Sequence, residues 1–266
     1  MALESLGIDS VLIVALLVGT VAFFYSNLGL GGGQLYVPIM DLFFVSLFME
    51  DIVPLSLCFA FVTMLSATYT HSRKGLVHFK LGALLAMGGM VGVLAGVMFT
   101  TTVDEWVVKV AFTALLVVVA TKMMYDLQRA KKDHVGCPTS WSFRCKLAGV
   151  GVSILTGFLI GSFGIGGGVV SVPLIIYVFK FEPRYAIGTS AFMGAILTPA
   201  AFAVYALREG ASINYDLAMV LTPIVFVMGF IGSTWGLKKL RTKVVKMIFT
   251  GGVYLAACEM IYSLLS

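Results

Sequence analysis

The chain of 266 residues is 59% hydrophobic and 12% charged, with a mean hydropathy of +1.01, where a soluble domain carries about a quarter charged residues. So little polar surface cannot cover a water-facing globule, so the chain reads as an all-α, polytopic helical membrane protein whose main solvent is the lipid bilayer. The formal charge of +5 does not point to nucleic acid, because the basic residues sit in short loops between apolar runs.

The first apolar run, 10–27, follows Glu4 and Asp9 rather than a basic leader. It reads as a retained span, not a cleaved signal. Runs at 34–48, 53–70, 80–100 and 105–125 follow. After a hydrophilic stretch come 147–163, 169–180, 185–206, 215–236 and 244–264. Most approach the roughly 20 residues that a crossing helix needs. The runs 34–48 and 169–180 are shorter, and a glycine cluster ties each to its predecessor, so they are expected to be broken or re-entrant helices. Whether they cross fully stays open at this point.

If the N-terminus lies outside, the loops that fall inside hold all of the 18 basic residues except Lys109 and Arg208, while Glu4, Asp9, Glu50, Asp51, Asp104 and Glu105 collect outside. The positive-inside bias then predicts a multi-pass protein of the cell inner (plasma) membrane with both termini outside and the central linker cytoplasmic.

An internal repeat organises these runs. Gly29-Leu-Gly-Gly-Gly-Gln-Leu-Tyr-Val-Pro38 matches Gly164-Ile-Gly-Gly-Gly-Val-Val-Ser-Val-Pro173 at an offset of 135, and Val107-Val-Lys-Val-Ala-Phe-Thr113 matches Val244-Val-Lys-Met-Ile-Phe-Thr250 at 137. Arg73-Lys-Gly75 aligns with Arg208-Glu-Gly210, and Tyr125 with Tyr262. Residues 1–127 form a first transmembrane repeat, 128–146 a linker, and 147–266 a second repeat. Five apolar runs per half is an odd number, so the second copy enters from the opposite face. That is the inverted-repeat plan of many secondary transporters, which bind substrate near the midplane where broken helices meet.

The glycine motif carries the chemistry. Each glycine weakens a continuous helix by about 1 kcal/mol relative to alanine, and Pro38 and Pro173 remove a backbone donor five residues on. Backbone groups freed at membrane depth must be satisfied by protein or a wet cavity. A helix restarting at Gln34 or Val169 aims free N–H groups and a positive dipole end at that place, which suits an anion. The competing reading is that these glycines only permit tight helix crossing or form surface loops. No Gly-Lys-Ser/Thr follows, so the motif is not a nucleotide-binding loop.

Two copies of Gly-x-Gly-Gly-Gly…Val-Pro, the second followed by Gly188-Thr189-Ser190, in a short duplicated membrane protein resemble the TauE/SafE sulfite exporter family along nearly the whole chain. The resemblance implies secondary transport of sulfite, sulfonates such as sulfoacetate, or related small anions, with H+ or Na+ coupling. On it, the substrate-binding candidates are Gly29, Gly31, Gly32, Gly33, Gly164, Gly166, Gly167 and Gly168, with Asn27, Gln34, Ser56, Ser162, Thr189 and Ser190 as hydrogen-bonding groups. Pro54-Leu55-Ser56 departs from the Gly-Thr-Ser pattern, leaving only Ser56 as an equivalent in the first half. For Asn27, Ser162 and Gln34, helix capping or interhelical bonding competes with ligand binding, and a packing role competes equally for Ser56, Thr189 and Ser190.

Asp41 has no acidic counterpart, since Ile176 aligns with it. It is a candidate for proton coupling, unless a re-entrant second run leaves it near water. Glu259 aligns with Lys122, and both sit near run ends, where long side chains reach the interface. Gly88, Gly89, Gly92 and Gly96, like Gly229, Gly232 and Gly236, are spaced for close helix contact. His134, Cys137 and Cys145 fall short of a metal site. No His-x-x-Glu-His, Gly-x-Ser-x-Gly or clustered carboxylates mark an enzyme, and no cofactor is expected. A passive anion channel, or transport of a carboxylate or metal cation, are the alternatives. A homo-oligomer is compatible with all of these readings.

Overall fold

The computed structural model describes residues 8–44, 47–128, 142–208, 213–239 and 242–265. Most of the linker, with His134 and Cys137, lies outside them. The described chain is ten helices: α1 Ile8–Tyr25, α2 Gly33–Phe43, α3 Met49–Ser72, α4 Phe79–Thr102, α5 Glu105–Gln128, α6 Phe143–Phe163, α7 Gly168–Phe179, α8 Pro183–Ala206, α9 Tyr215–Lys239 and α10 Thr242–Leu265. Among the described residues α3, α4, α6, α8 and α9 are long and apolar enough to cross a membrane. Helices dominate because a lipid-facing backbone must satisfy its own N–H and C=O groups.

Polar clips assign the helix ends to two faces. Arg208, just past α8, holds Glu50 at the start of α3 (3.0 Å) and the carbonyl of Thr101 at the end of α4 (2.8 Å). The starts of α3, α5 and α9 and the ends of α4 and α8 therefore share one face, which carries Glu50, Asp51, Asp104 and Glu105 and is called here the acidic face. On the opposite, basic face the backbone N–H of His78, before α4, donates to the Thr189 hydroxyl in the second turn of α8 (3.0 Å).

The short helices turn back. Gly19 of α1 lies against Ile224 and Met228, and Phe23 against Gly232, so α1 runs parallel to α9 from the acidic face inward. At the far end of α2, Asp41 meets Lys109 in the first turns of α5, which returns the chain to the acidic face. In the second half, Gly88, Gly92 and Gly96 of α4 contact 150–153, 154–158 and 158–162 of α6 in step. Hence α6 runs inward from the basic face, and Phe179 ends α7 against Gly149 near the start of α6. Both short runs are thus re-entrant: α1–α2 and α6–α7 are hairpins entering from opposite faces.

Helix pairing repeats with a shift of five elements. α4 packs on α6 as α9 packs on α1, α9 on α3 as α4 on α8, and α7 on α8 as α2 on α3, with α3·α8 and α5·α10 closing the pattern on themselves. Each hairpin is gripped chiefly by a long helix of the other half. A Cβ on Gly92 would strike the Ile154 carbonyl and one on Gly232 the Phe23 carbonyl, so these glycines set backbone-to-backbone approach. One pairing breaks the pattern: α2 packs against α10, with no comparable α7–α5 pairing among the described residues. At the centre, α3 has 72% of its most apolar stretch buried, and its Met64 meets Gly194 of α8.

Candidate functional site

The tips of the two hairpins touch. Gly29, Gly31 and Gly32 take φ of 59°, 80° and 92°, and Gly164, Gly166 and Gly167 take 65°, 69° and 78°. The same left-handed bends, which a side chain would disfavour, thus recur at each equivalent position. The contact is reciprocal. A Cβ on Gly33 would overlap the carbonyl oxygen of Gly164, and one on Gly168 that of Gly29. Between them, Cβ atoms on Gly31 and Gly166 would fall 2.7 and 2.8 Å from each other's Cα.

From this contact α2 and α7 begin, with Gly32 and Gly167 as N-caps and no side-chain cap at either. The first amides of both helices thus have no intrahelical acceptor, and the positive dipole ends of both lie at the junction of the halves. Pro38 and Pro173 lie inside these helices. Each withdraws the N–H that would have reached the carbonyl four residues earlier, which belongs to Gln34 in α2 and Val169 in α7.

Gln34 is the most exceptional side chain here. It is 1% exposed, and neither its Nε2 nor its Oε1 has a hydrogen-bond partner. A buried amide left unmatched costs about 1–3 kcal/mol, and buried polar groups are nearly always paired. Its repeat counterpart is Val169, so the amide occurs in one half only.

The serines are disposed symmetrically. The Ser56 hydroxyl donates to Gly164 (3.2 Å) and Val53 (3.0 Å) carbonyls. Ser190 donates to the Gly29 carbonyl at 3.5 Å and is 2.6 Å from the Ser171 hydroxyl. Each serine ties its helix to the glycine turn of the opposite half, so Ser56 and Ser190 are buckles of the junction.

The other candidates part company. Ser162 donates to the Gly96 carbonyl (3.2 Å), and its own carbonyl accepts from Thr100 (2.7 Å), which makes it a joint between α4 and α6. Thr189 faces the α3–α4 connection on the basic face. Asn27 is 8% exposed; its Nδ2 donates to the Phe23 carbonyl (3.1 Å) while Oδ1 has no partner. The junction thus gathers Asn27, Gln34, Ser56 and Ser190 with the eight glycines, and leaves Ser162 and Thr189 in packing joints.

Asp41 stands apart from the junction and is not at water although α2 is re-entrant. Its side chain is 5% exposed and forms an ion pair with Lys109 at 3.1 Å, with Ser263 donating to it at 2.9 Å. Glu105 holds the same ammonium at 3.4 Å. Glu259 does not reach outward to solvent: it is partly buried, with Oε2 enclosed and unpartnered. The fold therefore gathers carboxylates around one lysine where the linear sequence shows no cluster. Lys109 and Ser263 escape sequence reasoning because they come from two other helices, α5 and α10, and only the folding of α2 against both brings them to Asp41.

The sulfite exporter TauE/SafE profile matches residues 11–260. The chain is 28% identical to the probable membrane transporter protein YunE of Bacillus subtilis (strain 168), over 94% of this chain and 96% of that one. It is 25% identical to a probable membrane transporter protein of Methanocaldococcus jannaschii, covering 82% of this chain and 79% of the relative. A probable membrane transporter protein of Haemophilus influenzae is 29% identical over 70% of each chain. No solved structure is a significant match. Ten helices, a doubled glycine motif and a profile match along nearly the full length lead to one assignment: the chain is a polytopic membrane protein that belongs to the sulfite exporter TauE/SafE family.

Proposed function

We propose that the protein is a secondary transporter of small sulfur-containing anions, sulfite and sulfonates such as sulfoacetate, across the cell inner membrane. Substrate binds where the hairpin tips meet, and the two repeats, 1–127 and 147–266, expose that site to each side in turn. The observation that carries this reading is the pair of uncapped helix starts beside the buried, unpartnered amide of Gln34. Convergent N–H groups and an amide donor bind an oxyanion without a buried lysine. Broken helices at the interface of related halves are the usual seat of substrate in such transporters. The Gln34 and Val169 carbonyls released by the prolines favour a second reading, a cation site lined by carbonyl oxygens.

Purified protein in liposomes, challenged in turn with sulfite, sulfoacetate, sulfate, a carboxylate and a divalent metal cation, separates the two. Saturable flux of a sulfur oxyanion, abolished by Gln34→Leu and by Gly167→Leu in protein that still inserts, is the expected result. Silence of every anion with movement of the metal would replace the anion site by the carbonyl site. Non-saturating anion flux would make the protein a channel.

A further inference from the structure

The cluster on the acidic side of α2, α5 and α10 has a role that the glycine junction does not supply. Lys109 of α5 bridges Asp41 of α2 (3.1 Å) and Glu105 of its own helix (3.4 Å), and its Nζ is 3.4 Å from the Ser263 hydroxyl of α10. One turn before Ser263, Glu259 places a carboxylate oxygen inside the protein with no donor to it, in electrostatic contact with both Asp41 and Lys109. Each helix packed here therefore contributes a charged group: Asp41 from α2, Glu105 and Lys109 from α5, Glu259 from α10.

We propose that Glu259, with the Asp41–Lys109 pair, is the proton-coupling site of the transporter. This rests on the junction being the substrate site, because the link runs through α2. Gln34 and Asp41 are seven residues apart, about 10 Å and close to two full turns. They stand on one face of one short helix, the first at the junction and the second at the cluster. A carboxylate oxygen enclosed without a donor is costly as an anion and far less so as a neutral acid. With a proton on Glu259, Lys109 is left to Asp41, and α2 is fastened to α5 and α10. When that proton leaves to solution at the acidic face, the new carboxylate competes with Asp41 for Lys109 and repels Asp41. The fastening of α2 loosens, and the hairpin is freed to move with its Gln34. The second half has Ile176 in place of Asp41, so the device exists once per chain.

Two readouts test this. In proteoliposomes loaded with a pH-sensitive dye, radiolabelled sulfite uptake and proton movement are followed together. Glu259→Gln is expected to lose the proton movement per sulfite carried, and Asp41→Asn to shift its pH dependence. A Glu259→Gln variant with the wild-type proton-to-sulfite ratio overturns the proposal. Infrared difference spectra of the full-length protein between acid and alkaline pH form the second readout, which needs no substrate. A protonated-carboxyl band present in wild type and missing from Glu259→Gln is expected. If no titrating band disappears in that variant, the proposal falls even where sulfite is carried. If sulfite is not carried but the band behaves as expected, it is the junction reading that fails.

Discussion

A single missing methyl group decides whether the hairpin tips can meet. Gly33 and Gly168 have no room for a Cβ, because each faces a backbone carbonyl of the other half, and backbone cannot step aside as a flexible side chain can. Gly151, in α6, has nothing within 4 Å of the equivalent position. Gly33→Ala and Gly168→Ala are therefore expected to destabilise the protein by about 1–3 kcal/mol, as overpacking does. Gly151→Ala should stabilise it by about 0.5–1 kcal/mol through helix propensity. Thermal unfolding in detergent orders the three variants, and an equal effect at all three would refute the reciprocal contact. Pattern alone could not rank these residues. The sequence marks the glycines as special because they recur, and it marks Gln34 because it follows them. That Gly33 answers Gly164 across the molecule is a tertiary fact, as is the loss of the Ser162 hydroxyl to Gly96.

At the level of elements, the sequence was most informative about where helices lie and least about how two of them travel. All ten apolar runs are helices, because a hydrophobic run in lipid has few other ways to satisfy its backbone. The shortness of the second and seventh runs and the glycine clusters before them point to broken or re-entrant helices, but parity of the crossings is the same for a full pass and a return, so the pattern alone does not choose between them. What distinguishes a hairpin from a crossing is the distant partner of its far end, such as Ser263 for Asp41, 222 residues away. The prolines inside α2 and α7 do carry a local message. Pro38→Ala returns a donor to the Gln34 carbonyl and closes part of the polar gap at the start of α2. The expected outcome is a helix better satisfied in itself and a transporter with weaker anion flux at unchanged protein level. Flux at or above wild type in that variant would mean the freed carbonyl plays no part.

For the whole molecule, the sorting of charge predicts its orientation. Arg73, Lys74 and Lys80 stand on one face, and Glu50, Asp51 and Asp104 on the other. Membrane proteins carry their excess of Lys and Arg in cytoplasmic loops. Single cysteines placed at Lys74 and Asp104 in a cysteine-free background should label oppositely with an impermeant thiol reagent on intact cells: Asp104→Cys reacting at once, Lys74→Cys only after lysis. The reverse pattern would invert the assignment of faces while leaving the fold intact. The crossed grip of the hairpins also has a consequence for how the chain is made. The helix against which α1 packs is α9, near the other end of the polypeptide, and α4 receives α6 only after the linker has been synthesised. The first half therefore leaves the ribosome with its hairpin unclasped and its glycine tip facing no counterpart. Its final packing waits on a partner not yet translated, so assembly of this protein is in effect a dimerisation that happens within one chain.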